Sequence, residues 1–135
     1  MPYIEWNDSF SANVQMIDSQ HKKLFQIMND LGAAMSSGKG KEAIEQTLAS
    51  LFDYTKYHFD AEERHMRLHN YSDMEKHMKI HEEFIDKIMD LKKKLKIGGC
   101  ALTVETMHFI SSWLREHIMI KDKEFGLFLN SKGVE

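Results

Sequence analysis

Two pairs of ionisable residues, His58 with Glu62 and His77 with His81, are set into apolar stripes of helical period. Residues four apart on an α-helix share one face, one turn apart, so each pair can aim two ligand atoms at one point. His58 and Glu62 fall on the stripe of Leu48, Leu51, Thr55 and Met66. His77 and His81 fall on the stripe of Met74, Phe84, Ile88, Leu91 and Leu95. Ionisable groups at inward positions are costly unless they are paired or bound to a metal. A chain built this way must turn both stripes toward one interior, and that interior is expected to hold a buried metal centre.

The rest of the chain supplies helices to close that interior. Residues 1–16 show no clear period, but Trp6, Phe10, Val14 and Met16 can pack as an ordered arm. Asp18 is the expected N-cap of a first helix over about 18–37, with the stripe Ile17, His21, Leu24, Met28, Leu31 and Met35. Its steps of three and four suit a bundle seam. Ser36-Ser37-Gly38-Lys39-Gly40 ends it. A second helix is expected over about 41–66. Ser72 and Glu75 then read as a capping box opening a third, about 73–97, which Gly98-Gly99 stops. Thr103 is the expected cap of a fourth, about 103–120, with Met107, Ile110, Trp113, Leu114 and His117 inward. A short C-terminal helix over about 122–130 carries Phe125, Leu127, Phe128 and Leu129. There is no strand-like alternation of useful length. The expected fold is all-α: one domain, 1–135, forming an antiparallel up-down-up-down four-helix bundle with an N-terminal arm.

Several function classes fall away. A formal net charge of −3 argues against a nucleic-acid partner, which normally calls for a basic surface. Lys92-Lys93-Lys94 lies at a helix C-terminus, where cations favour the dipole, and reads as a solvated face. No apolar run approaches a membrane span. Met1-Pro2-Tyr3-Ile4-Glu5 lacks the pattern of a signal peptide, so a cytoplasmic location is expected. The single cysteine, Cys100, excludes an intramolecular disulfide, in keeping with a reducing compartment. Nothing identifies a protein partner, and a monomer is expected.

Every helix carries an inward ligand candidate: His21 on the first, His58 and Glu62 on the second, His77 and His81 on the third, His117 on the fourth with Asp122 just after it. Five steps along a regular helix rotate about 140°. His117 and Asp122 can therefore converge only if the fourth helix bends, widens to a π-like turn or breaks near Ile120. Seven protein ligands exceed the roughly six positions of one octahedral ion, so two ions with bridging carboxylates are expected. Five imidazoles, two bridging carboxylates and one bridging solvent oxygen fill about 11 of about 12 positions, which leaves one open for a small ligand. Mixed imidazole and carboxylate ligation suits iron, with zinc or manganese as alternatives. Spacing alone leaves Glu116 and Glu124 open in place of Asp122.

These stretches resemble the hemerythrin family, in particular its single-domain bacterial type. The resemblance is carried by Ile17-Asp18-Ser19-Gln20-His21-Lys22-Lys23-Leu24, by His58-Phe59-Asp60-Ala61-Glu62-Glu63-Arg64-His65-Met66, by His77-Met78-Lys79-Ile80-His81, and by Trp113-Leu114-Arg115-Glu116-His117 with Asp122. It covers nearly the whole chain. It implies two non-haem irons, one held by His77, His81 and His117 and the other by His21 and His58. Glu62 and Asp122, the latter now favoured, would bridge them beside an oxo or hydroxo group. It further implies reversible dioxygen binding as a hydroperoxide at the open position of the two-histidine iron. Phe59, Trp113, Leu114 and Ile118 match the apolar pocket of the family. Dry walls of that kind slow proton delivery to the bound molecule.

Glu63 lies off the face of His58 and is expected to be solvated. His69 and His108 are not expected to be ligands, and His65 is at most an outer partner or entry residue. A binding protein for carriage, storage or delivery is favoured over an enzyme. Oxygen-activating bundles more often use carboxylate-rich sites with paired Glu-x-x-His motifs, and Glu62 with His65 has no second copy among the ligands. A di-iron oxidase, peroxidase or nitric-oxide-handling enzyme, and an oxygen or redox sensor, are the alternatives.

Overall fold

The computed structural model describes residues 4–37, 41–97 and 104–135. The helices are α1 (Gln15–Ser36), α2 (Lys41–Leu68), α3 (Met74–Lys96), α4 (Val104–Glu116) and α5 (Lys123–Ser131), with a π-helical turn, His117–Asp122, between the last two. No strand occurs among the described residues. The helices alternate in direction. Phe59 meets His81 and Phe84, while Phe84 meets Trp113 and His81 meets His117. Gly38-Lys39-Gly40, Gly98-Gly99, Cys100 and the Thr103 cap lie outside the described residues.

The N-terminal arm is ordered by polar and aromatic contacts. Asn29 clamps Ile4 twice, accepting from its N–H at 3.1 Å and donating to its carbonyl at 2.7 Å. A short 3-10 turn, Asp8–Phe10, places Phe10 edge-on to Phe25, with ring centroids 5.1 Å apart. Asp18 does not cap α1, which begins three residues earlier after Val14. Its carboxylate instead accepts from Ala12 N–H at 2.8 Å and from Ser11 Oγ at 2.5 Å. A first-turn carboxylate suits the helix dipole, and here it also latches the arm onto the helix.

The α2–α3 connection also differs from expectation. Asn70 adopts a left-handed φ of 56°, and Tyr71 N–H reaches back to Met66 O at 2.9 Å. This is a Schellman-type ending of α2. It carries the chain directly into Met74, so Asp73 occupies the cap position without a side-chain bond and the Ser72–Glu75 box does not form. In the C-terminal segment Phe125 and Leu129 are buried, but Leu127 is on the exposed side of α5.

Two apolar clusters result. The larger includes Leu24, Met28, Leu48, Leu51, Phe59, Phe84, Ile88, Ile110 and Leu114. The smaller joins Ala12, Val14 and Ile17 to Met66, Tyr71, Phe125 and Leu129. Gly126 belongs to this second contact, since a Cβ there would collide with the backbone carbonyl of Ala12. Between the clusters lies a polar layer, which is the site.

Candidate metal centre

His21, His58, Glu62, His77, His81, His117 and Asp122 are all buried, at 5% exposure or less. They form two sets that share Glu62 and Asp122: Glu62, His77, His81, His117 and Asp122 on one side, His21, His58, Glu62 and Asp122 on the other. Within the first set, His81 Nε2 lies 3.1 Å from His117 Nε2 and 3.3 Å from Glu62 Oε1. Asp122 Oδ1 lies 3.1 Å from His77 Nε2 and 3.2 Å from His117 Nε2. Within the second, His58 Nε2 lies 3.5 Å from Glu62 Oε2, and His21 Nε2 lies 2.9 Å from Asp122 Oδ2.

The π-turn makes this convergence possible. In a π-helix the backbone bonds run i→i+5, so residues five apart come into register. That is the spacing of His117 and Asp122, which a regular helix would splay apart. Of the three distortions compatible with the sequence, widening is the one adopted. Glu116 and Glu124, the alternatives to Asp122, are exposed.

Two outer contacts escape a stripe-based reading. His58 Nδ1 meets Gln20 Oε1 at 2.6 Å, and His81 Nδ1 meets Glu63 Oε2 at 2.9 Å. Glu63 is thus not solvated. Its carboxylate, with a side chain only 13% exposed, packs across the α2–α3 interface. Both acceptors hold a proton on Nδ1 and so direct the Nε2 lone pair inward. The sequence signal was adjacency, for Gln20 precedes His21 and Glu63 follows Glu62. His65 instead stacks on His69, with ring centroids 6.4 Å apart, and neither belongs to the two donor sets. His108 is exposed on α4.

The electrostatics are those of a crowded, dry pocket. Burial, followed by the nearby Asp122 charge, pushes the Glu62 carboxyl well above its ordinary range. Burial and then His21 push the His58 imidazole well below its ordinary value. Burial also lowers His117. For Asp122 burial acts upward, but the neighbouring His117, with the hydrogen bond to His77, outweighs it and holds the carboxyl well down.

The donors fit metal ions better than they fit each other. His21 Nδ1 and Nε2, His58 Nε2, both Glu62 oxygens and Asp122 Oδ2 are buried without a hydrogen-bond partner. The 2.9 Å His21–Asp122 approach is close enough for an ion pair but is not aligned as a hydrogen bond. Two nitrogens bound about 2.1 Å from one ion, at adjacent octahedral corners, would stand about 3.0 Å apart. The 3.1 Å between His81 and His117 matches that separation.

Aromatic rings wall one side. Phe59 stacks on His81 with centroids 3.7 Å apart and planes 1° from parallel. Trp113 stacks on His117 at 4.6 Å. Leu114 and Ile118 are buried in the larger cluster. A surface pocket of about 200 Å³, lined by Ile80, Trp113, Glu116, Ile120 and Lys121, reaches His117.

Bundle and site together define a class: helical proteins whose interior can hold metal through histidines and carboxylates. A family model, the hemerythrin HHE cation binding domain, matches residues 12–128. The chain belongs to the hemerythrin family. It is 33% identical to a bacteriohemerythrin of Methylococcus capsulatus, over 97% of this chain and all of that one. It is 32% identical to a myohemerythrin of Sipunculus nudus, over 92% and 91%. The solved structure of a wild-type hemerythrin superposes with a TM-score of 0.87 at 32% identity, covering 92% of this chain and 95% of the other. No described helix is long and apolar enough to cross a membrane.

Proposed function

We propose that this chain is a non-haem di-iron protein that binds dioxygen reversibly at one open coordination position, for carriage, storage or delivery. The observation that supports the reading is how the carboxylate oxygens divide. Glu62 Oε1 and Asp122 Oδ1 face His77, His81 and His117, while Glu62 Oε2 and Asp122 Oδ2 face His21 and His58. In this reading His77, His81 and His117 would hold one ion and His21 and His58 the other, with Glu62 and Asp122 shared between them beside a solvent-derived oxo or hydroxo group. Iron bound there would supply the two electrons on which reversible dioxygen binding draws.

The chain's own residues do the rest. Three histidines, two carboxylate oxygens and a solvent bridge would fill about six positions on one side. The same count would leave one position free on the side of His21 and His58. Gln20 and Glu63 keep the rings of His58 and His81 oriented. Phe59, Trp113, Leu114 and Ile118 exclude water and slow proton delivery. The likeness to bacteriohemerythrins and to a myohemerythrin supports the same reading. Metal analysis is expected to give about two irons per chain, the count set by two octahedral sites. The absorption spectrum is expected to carry oxo-to-iron charge-transfer bands that change reversibly with oxygen. A colourless protein holding a single zinc overturns the proposal.

A further inference from the structure

One hydroxyl sits in the apolar layer next to the donor sets. His21 meets His58 with ring centroids 4.6 Å apart, across antiparallel helices. One turn onward along α1 is Leu24, and one turn back along α2 is Thr55, so these two share a level. Across the bundle, His81 meets His117 at 5.0 Å. By the same step Phe84 on α3 and Leu114 on α4 come to that level. Leu24, Phe84 and Leu114 are buried and apolar, and Thr55 is fully buried among the same helices.

The Thr55 hydroxyl has no protein partner. Other hydroxyls of α2 take the usual refuge of a helical hydroxyl, the carbonyl four residues back. Thr47 Oγ1 donates to Ala43 O at 2.9 Å, and Ser50 Oγ donates to Gln46 O at 3.1 Å. Thr55 lies one turn before His58, whose inward Nε2 is likewise without a partner. A buried hydroxyl left unpaired is disfavoured, and native structures rarely keep one without use.

We infer that Thr55 is a positioning residue whose Oγ1 donates a hydrogen bond to the small ligand bound on the His21–His58 side. The ligand class is a two- or three-atom molecule ending in an oxygen or nitrogen lone pair. This inference rests on the di-iron reading above. A threonine hydroxyl can orient such a ligand without surrendering its proton, so it adds one anchoring bond to an otherwise dry wall.

The test uses Thr55→Val, which keeps the shape and removes the hydroxyl, and Thr55→Ser, which keeps the hydroxyl. Azide, titrated into the oxidised iron-loaded protein, is the probe. Iron content is expected to be unchanged in both variants. Azide affinity is expected to fall about tenfold in Thr55→Val, the size of one neutral hydrogen bond, and to stay near wild type in Thr55→Ser. In the metal-free protein, Thr55→Val is expected to melt no lower than wild type, since it removes an unsatisfied group. Equal azide affinity in Thr55→Val and wild type, or equal weakening in both variants, overturns the assignment of Thr55 while leaving the di-iron reading intact. A lower melting point of metal-free Thr55→Val also overturns it, by showing that the hydroxyl is already satisfied within the protein. A wild-type protein that takes up no iron sinks the di-iron reading, and this inference with it.

Discussion

His81 Nε2 and His117 Nε2 face each other across 3.1 Å inside the bundle, one from α3 and one from the start of the π-turn. A shared proton would satisfy that pair alone. An ion between them would also engage His77, whose Nε2 lies 3.1 Å from the Asp122 oxygen that closes the same set. His77→Ala is therefore expected to lose iron and to melt at least about 5 °C below wild type in the loaded state, because bound metal stabilises only the folded chain. Unchanged iron content, measured by elemental analysis, would contradict this.

Glu63 accepts from His81 across the α2–α3 interface. Removing such an outer partner typically costs about 10- to 100-fold in metal affinity. Glu63→Ala is expected to weaken iron retention by that order in competition with a chelator while the helical content stays constant. Affinity equal to wild type would make the contact incidental.

Leu114 is buried in the layer over the site. Leu114→Tyr introduces a hydroxyl where the wall is apolar. It is expected to retain iron and to speed loss of the oxygenated form, because a polar wall admits protons. Equal autoxidation rates in the two proteins would take Leu114 out of the pocket.

Acid acts on the metal-free protein through two histidines and a carboxyl that opposes them. His58 is held well below its ordinary 6.5, and His117 is also lowered, so below 6.5 the unfolded chain binds protons that the folded chain refuses. Their contribution therefore lowers stability as pH falls through that window. Glu62 is held well above 4.5, so from 4.5 up to its raised value the folded chain binds the extra proton, and its contribution to stability rises as pH falls. Glu62→Gln removes the opposing group. As pH falls from 6.5 toward 4.5, the span between the two ordinary values, metal-free Glu62→Gln is expected to lose more melting temperature than the metal-free wild type. An equal or smaller loss would show that Glu62 does not oppose the histidines.

The bundle was legible because its signal is local. Ile17, His21, Leu24, Met28 and Leu31 repeat at helical spacing, and all five are buried. The need for a distorted fourth helix was legible too, since the angle between His117 and Asp122 follows from the helical period alone. The ends of elements were less so. Asp18 and Ser72 have good capping chemistry, but the first bonds the arm and the second is displaced by the turn at Asn70. Such outcomes depend on what packs against a helix end, which a local pattern does not contain.

Which side chains turn inward could be read from residue order, because rotation along one helix is fixed by its own backbone hydrogen bonds. How the helices are set against one another emerged from the folded chain, because axial level and rotamer depend on packing across the interface. That placement gave Glu62 and Asp122 one oxygen toward each histidine set. It also brought Gln20 to His58 and Glu63 to His81, and left the Thr55 hydroxyl unpaired.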